Sequence, residues 1–311
     1  MVQVDLITGF LGAGKTTFLR LYAGHLAAQG HRVCILENDF GAVNVDALLV
    51  QDLLERGCEL ETISGGCDCD THQRRMRTKL ISMAMRGFDR VVIEPSGIFD
   101  VDEFFDVLRD DPLDRWYTLG SVIAVVDAQL PAGLSPEADY VLATEVANAG
   151  LVVLSRSQLA SPEQRAAACA HVRQALAACK CSRTLADSDI LDRDWAALTD
   201  ADLDRAAACG YRQASCEKRA FDEHKVFSSV YFLESGLTRA QLQKRIPALF
   251  ASPDCGHVLR VKGFVPENGG WCELNATADG MTAAPIKQGQ EVLIVIGENL
   301  QRDIISSVLN K

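Results

Sequence analysis

Residues Gly9 to Thr16 read GFLGAGKT, the spacing Gly-x4-Gly-Lys-Thr. The apolar run Val2–Ile7 precedes it, and Lys15–Gln29 follows, with Phe18, Leu19, Tyr22 and Leu26 on one helical face and Gly30 as the stop. A strand, a glycine-rich turn and a helix in that order form the context that a phosphate-binding loop requires. Glycines let the backbone N–H groups curl around a β-phosphate at the positive end of the helix. Gly12, Ala13, Gly14, Lys15, Thr16 and Thr17 are therefore the candidate phosphate contacts. Lys15 is placed to reach the β- and γ-phosphates as a catalytic group, and the Thr16 hydroxyl to take a position on Mg²⁺.

Working outward, RVVIEPSG at 90–97 is an apolar strand that ends in an acidic residue. Glu94 is a candidate to hold Mg²⁺ through water or to polarise an attacking water, and Gly97 to present its N–H to the γ-phosphate. Further strand-like runs at Val33–Leu36, Val122–Val126 and Leu151–Leu154 alternate with helical patterns, among them Thr71–Arg86 with a basic face from Arg74 to Lys79. That alternation indicates an α/β fold, a parallel-sheet P-loop domain over residues 1–185. Residues 186–220 turn rich in Ala, Asp and Arg and read as a connector, with Trp195 as an anchor. Residues 221–311 read as a smaller α+β domain.

Composition narrows the function classes. Across 311 residues, 48% hydrophobic and 23% charged residues describe a soluble globular chain. A formal net charge of -11 argues against general affinity for nucleic acid or acidic membrane surfaces. No apolar run has the length of a membrane span, and MVQVDLITGF lacks signal-peptide regions, so a cytoplasmic location is expected. Of eleven cysteines, only Cys67–Cys69 and Cys179–Cys181 have spacings that invite a metal reading.

The motifs GFLGAGKTT (9–17), ENDFG with NVD (37–46), GGCDC (65–69), IEPSG (93–97) and VVDA (125–128) resemble the CobW-like family of P-loop GTPases, relatives of the HypB and UreG metal-insertion GTPases. LRVKGF (259–264) and VLIVIGENL (292–300) extend the resemblance to the C-terminal domain. It implies a switch at the ENDFG segment, making Glu37 a metal-ligand candidate and Asp39 a catalytic one, assisting Mg²⁺ or the hydrolytic water. It also implies that the cysteine motif binds a transition metal, Zn²⁺ or Co²⁺, coupled to the nucleotide state, and that the C-terminal domain docks a client.

The chain departs from the family pattern at two places. Cys-x-Cys-Cys becomes Cys67-Asp68-Cys69-Asp70, so a carboxylate replaces the last thiolate. Cys67, Cys69 and Asp70, with Glu37 or His72, still offer a four-ligand set of mixed softness. The guanine motif Asn-Lys-x-Asp becomes Ser155-Arg156-Ser157-Gln158. Arg156 keeps a stem that stacks on a base, but Gln158 offers one carbonyl where an aspartate accepts two bonds from guanine. Guanine preference is weakened accordingly.

The leading expectation is a GTP-using NTP hydrolase, slow without a partner, that serves as a metallochaperone or metalloprotein-assembly factor. Its partners would be a nucleoside triphosphate and a client metalloprotein or cofactor-assembly enzyme, with self-association left open. Two alternatives stand beside it: a nucleotide-dependent regulatory protein that has lost its metal, and a P-loop enzyme that uses ATP.

Overall fold

The structure is a computed structural model that describes residues 1–39, 50–64, 69–95, 97, 101–131, 133–219, 226–278, 280–286 and 289–310. The chain divides into two compact units, Met1–Ala220 and Phe221–Lys311.

The first unit is built on a seven-stranded parallel sheet. Its strands are β1 (Val2–Thr8), β2 (Val33–Asp39), β3 (Glu59–Ser64), β4 (Arg90–Glu94), β5 (Tyr117–Asp127), β6 (Leu151–Ser155) and β7 (Ile190–Leu191). They lie in the order β3-β2-β4-β1-β5-β6-β7. Leu6, Ile7, Ile35, Val91, Val92, Ile123 and Val153 are all fully buried, because helices cover both faces of such a sheet. Helices α1 (Lys15–Ala28), α2 (Gln51–Leu54), α3 (Cys69–Ala84), α4 (Val101–Arg109), α5 (Leu113–Trp116), α6 (Pro136–Ala147), α7 (Pro162–Ala178) and α8 (Asp200–Ala207) connect them. Two starts are written plainly in the sequence. Ser135 accepts from the Ala138 N–H ahead of Pro136, and Ser161 forms a capping box with Gln164 ahead of Pro162.

The central strand β1 pairs with β4 on one side and β5 on the other. Strand order reverses there, so the chain leaving β1 opens at the crevice where ligands bind in open α/β sheets.

The segment 186–220, expected as a connector, is packed into the first unit. Strand β7 pairs with β6 at the sheet edge, and Leu203 and Ala206 of α8 join the core beneath α1. The apolar positions of α8 are few, which is why the acidic composition conceals the packing.

The second unit is an antiparallel sheet in the order β11-β10-β9-β12-β8. Its strands are β8 (Phe227–Leu233), β9 (His257–Glu267), β10 (Gly270–Thr277), β11 (Gly280–Ile286) and β12 (Val292–Glu298). Leu242, Ile246 and Leu249 of helix α9 (Arg239–Ala251) and Ile305 and Leu309 of α10 (Arg302–Leu309) share its core. Both units match the expected fold class. Among the described residues no helix is long and apolar enough to cross a membrane.

Candidate nucleotide site

Beyond β1 the chain must turn sharply, and two glycines permit it. A Cβ on Gly9 would stand 2.3 Å from the Val125 carbonyl oxygen, a clash with backbone that cannot move aside. Gly14 caps α1 with φ 104°, the left-handed region. No side chain caps that helix start and no acidic residue occupies its first turn, so its N–H groups and dipole are offered to an anion.

The two reactive side chains of the loop are already placed. Lys15, 8% exposed, donates from Nζ to the Gly9 carbonyl at 2.8 Å. Thr16 Oγ1 donates to Glu94 Oε1 at 2.8 Å. Glu94 ends β4, and its register partner on β2 is Glu37. These two glutamates, 7% and 2% exposed, stand side by side at adjacent strand ends. The donor set is hydroxyl and carboxylate oxygen, the hard ligands that suit Mg²⁺. Thr17 is exposed on α1.

Gly97 is buried against the loop. A Cβ there would lie 2.7 Å from the Leu11 nitrogen and 3.0 Å from Lys15 Nζ. The strand-end segment after Glu94 is thus within touching distance of the lysine.

Glu145 of α6 was not singled out by sequence. It is fully buried, its Oε2 accepts from the Gly9 N–H at 3.0 Å, and its carbonyl accepts from Thr8 Oγ1 at 2.7 Å. It thereby pins the peptide whose carbonyl holds Lys15.

On the base side, Ser155 ends β6 and is buried, while Gln158 is exposed. Arg156, with φ 55°, donates from Nη2 to the Gly12 carbonyl at 3.1 Å and forms an ion pair with Asp127 at the end of β5. Asp127 was legible only as part of the VVDA run; its partner is set by the fold. Trp195 packs on Phe18 with ring centroids 5.5 Å apart, and its indole N–H donates to the Leu154 carbonyl at 2.9 Å. A Cβ on Gly14 would stand 3.4 Å from that indole. The anchor expected in the connector is therefore a wall of the phosphate loop.

The expected metal residues are only partly within view. Asp39 is the last residue of β2 and Cys69 and Asp70 open α3, but their side chains, like Cys67 altogether, lie outside the described residues. The elements on either side of the cysteine loop are held together by side-chain ion pairs. Lys79 of α3 donates to Glu61 of β3 at 2.6 Å, and Arg86 pairs with both Glu59 and Glu61. The Lys79 hydrogen bond and the Arg86 guanidinium hold the Glu61 carboxyl below its ordinary value against a desolvation that opposes them.

The family described as CobW/HypB/UreG, nucleotide-binding domain, matches residues 3–182. Zinc chaperone YeiR of Escherichia coli is 30% identical over 168 residues, 54% of this chain and 50% of that protein. Zinc chaperone YjiA of the same organism is 36% identical over 139 residues, 41% of each. Zinc-regulated GTPase metalloprotein activator 1 of Schizosaccharomyces pombe is 28% identical over 209 residues, 62% of this chain and 49% of that protein. The chain thus matches about half the length, or less, of these curated relatives. Among solved structures, zinc-bound YjiA GTPase from E. coli aligns over 99% of this chain and 98% of its own at 20% identity, with a TM-score of 0.37.

Proposed function

The chain belongs to the CobW/HypB/UreG family through its nucleotide-binding domain, and from that premise we propose that it hydrolyses a nucleoside triphosphate, GTP by preference, to load a transition metal onto a client protein in the cytoplasm. The observation that carries this reading is the Thr16–Glu94 hydrogen bond of 2.8 Å at the mouth of an uncapped helix. It joins a phosphate loop to a carboxylate strand end, the two parts that phosphoryl transfer to water needs.

In this reading Lys15 leaves the Gly9 carbonyl for the β- and γ-phosphates, and the N–H groups of Gly12 to Thr17 surround them. Thr16, with Glu94 behind it, would hold Mg²⁺, which neutralises phosphate charge when bound. Glu94 and Asp39 are the candidates to orient the attacking water, and Gly97 to report the γ-phosphate to Lys15 through their contact. Arg156 braces the loop from the base side, and Gln158 accepts one bond from the base. Turnover without a partner is slow, since Arg156 is engaged by Asp127 and Gly12 on the base side rather than at the γ-phosphate.

The metal is cargo in this scheme, and Zn²⁺ or Co²⁺ would be taken by Cys67, Cys69 and Asp70 with Glu37. Glu37 supports the coupling because it stands beside Glu94 in register, so one residue adjoins both the hydrolytic strand end and the cysteine loop's neighbouring strand. The zinc chaperone names of the curated relatives support the same cargo.

Two measurements test the reading. Calorimetric titration with GTP and ATP in Mg²⁺ should show nucleotide binding, and its absence for both defeats the proposal. Equilibrium dialysis with Zn²⁺, with and without GTP, should show metal retention that depends on nucleotide. If Cys67→Ala with Cys69→Ala leaves zinc stoichiometry unchanged, the cargo assignment fails while hydrolysis stands.

A further inference from the structure

Two cysteines that the nucleotide site does not use face each other where α7 ends. Cys179 caps that helix, and Lys180, Cys181 and Ser182 follow it. The chain returns beside them at 215–217. The Ser182 N–H donates to the Ser215 carbonyl at 3.0 Å, the Ser215 N–H to Ser182 Oγ at 3.0 Å, and the Glu217 N–H to the Cys179 carbonyl at 2.8 Å. Lys180 pairs with Glu217 at 2.8 Å. The two runs lie antiparallel with one residue extra on the first, so that Lys180 and Cys181 together stand against Cys216 between the two backbone bonds. There the Cys181 and Cys216 sulfurs come within hydrogen-bond reach of each other.

Opposed side chains of antiparallel runs have Cβ atoms about 4.5–5.5 Å apart, against the roughly 3.5–4.5 Å that a disulfide spans. A small adjustment of two surface segments bridges the difference. Both cysteines are half-buried, so a small oxidant reaches them. Burial pushes the Cys216 thiol up, and the adjoining Cys181 sulfur pushes it further.

We propose that Cys181 and Cys216 form a reversible disulfide pair, closed by a low-molecular-weight disulfide such as oxidised glutathione and reopened by thiols. Cys181, as thiolate, attacks one sulfur of the oxidant, whose S–S bond breaks. A mixed disulfide forms, and the departing thiolate takes up the proton that Cys181 gave. Cys216 then loses its proton and attacks the Cys181 sulfur, and the second glutathione thiolate leaves and is protonated. Two protein thiols have lost two electrons and two protons, and the oxidant has become two thiols. A thiol pair of this kind in a reducing compartment is a redox sensor rather than a structural staple.

The bond would close a loop of roughly 35 residues. That loop carries β7, α8 and Trp195, the residue that walls the phosphate loop at Gly14. Oxidation restricts the unfolded freedom of this whole segment and so raises the stability of the base-side wall.

The test incubates the 311-residue chain with oxidised glutathione and blocks the remaining thiols with iodoacetamide. Mass spectrometry then reads the non-reduced digest. One peptide pair joined through Cys181 and Cys216 is expected, absent after dithiothreitol and absent in Cys181→Ser and Cys216→Ser. The oxidised wild type should melt at a higher temperature than the reduced form, a shift that neither variant shows. Recovery of both residues as alkylated thiols, or as stable mixed disulfides with glutathione, would overturn the proposal. So would a Cys179–Cys181 link in place of the expected one. Cys179→Ser, which should still cross-link, separates these results from a loss of folding.

Discussion

The Thr16 hydroxyl donates a 2.8 Å hydrogen bond to Glu94 Oε1, tying the first turn of α1 to the end of β4. The two residues are distant in sequence and meet only because β4 lies beside β1 in the sheet. Replacing Thr16 by Ala removes the donor to a buried carboxylate, a loss of about 1–3 kcal/mol in stability. It also removes the proposed Mg²⁺ ligand. Phosphate release from GTP should fall about 100-fold or more, with the folded circular dichroism spectrum retained. Unchanged turnover in Thr16→Ala would remove this hydroxyl from the mechanism.

Gly97 makes a narrower claim testable. A Cβ there would press on the Leu11 nitrogen and on Lys15 Nζ. Gly97→Ala therefore disturbs the lysine without removing any functional group. Affinity for GTP in calorimetry should drop about 10-fold, equivalent to roughly 1.4 kcal/mol. Wild-type affinity would show that the contact yields freely and carries no information between the strand end and the loop.

The phosphate-loop segment and its flanking strands are legible in the sequence, and the reason lies in local chemistry. The loop needs glycines at fixed offsets, and the strands on either side of β1 are continuous apolar runs because both faces are buried. The edge strand β3 escaped notice since Glu59 and Glu61 interrupt its apolar pattern. Strand β7 is two residues long, too short for any period. In the second unit β11 holds Gly280 and Pro285, residues that weaken a strand signal. Glu145 was missed for a different reason. A carboxylate within TEVAN reads as a solvated helix face, and only the fold shows that the Gly9 N–H lies opposite it. The sequence offers Arg156 as a stacking platform, while its partners Asp127 and Gly12 come from elements remote in sequence.

The base site offers a gain-of-function test. Gln158 is exposed and offers one acceptor, whereas a carboxylate there accepts from both the N1–H and the exocyclic amine of guanine. Gln158→Asp should raise the ratio of GTP to ATP affinity by about 10-fold or more, measured by competition for a fluorescent nucleotide. An unaltered ratio would place the base away from residue 158.

Trp195 joins stability to nucleotide binding. Its ring packs on Phe18 and its indole N–H bonds to the Leu154 carbonyl. Trp195→Ala should cost about 2–3 kcal/mol in urea unfolding, and nucleotide affinity should weaken with it because the indole walls Gly14. Trp195→Phe keeps most of the packing and loses the hydrogen bond. It should recover affinity more fully than stability if packing is what shapes the loop.

The last expectation concerns acid. Glu61 is held below its ordinary value of 4.5 by the Lys79 hydrogen bond and by Arg86, so its carboxylate is favoured more in the folded chain than in the unfolded one. The sign follows from linkage: a lowered folded pKa means that the unfolded chain binds more protons, so stability rises with pH through this window. The contribution is fully present above about pH 4.5 and is lost as pH falls through the lower folded value. Since Lys79 ties α3 to β3, loss of this clamp should free α3 from the edge strand before the central sheet opens. Glu61→Gln removes the titrating group. Unfolding midpoints followed from neutral pH down to pH 3 should fall less steeply in the variant than in the wild type. Parallel curves would mean that the clamp is screened by solvent and contributes nothing to folding.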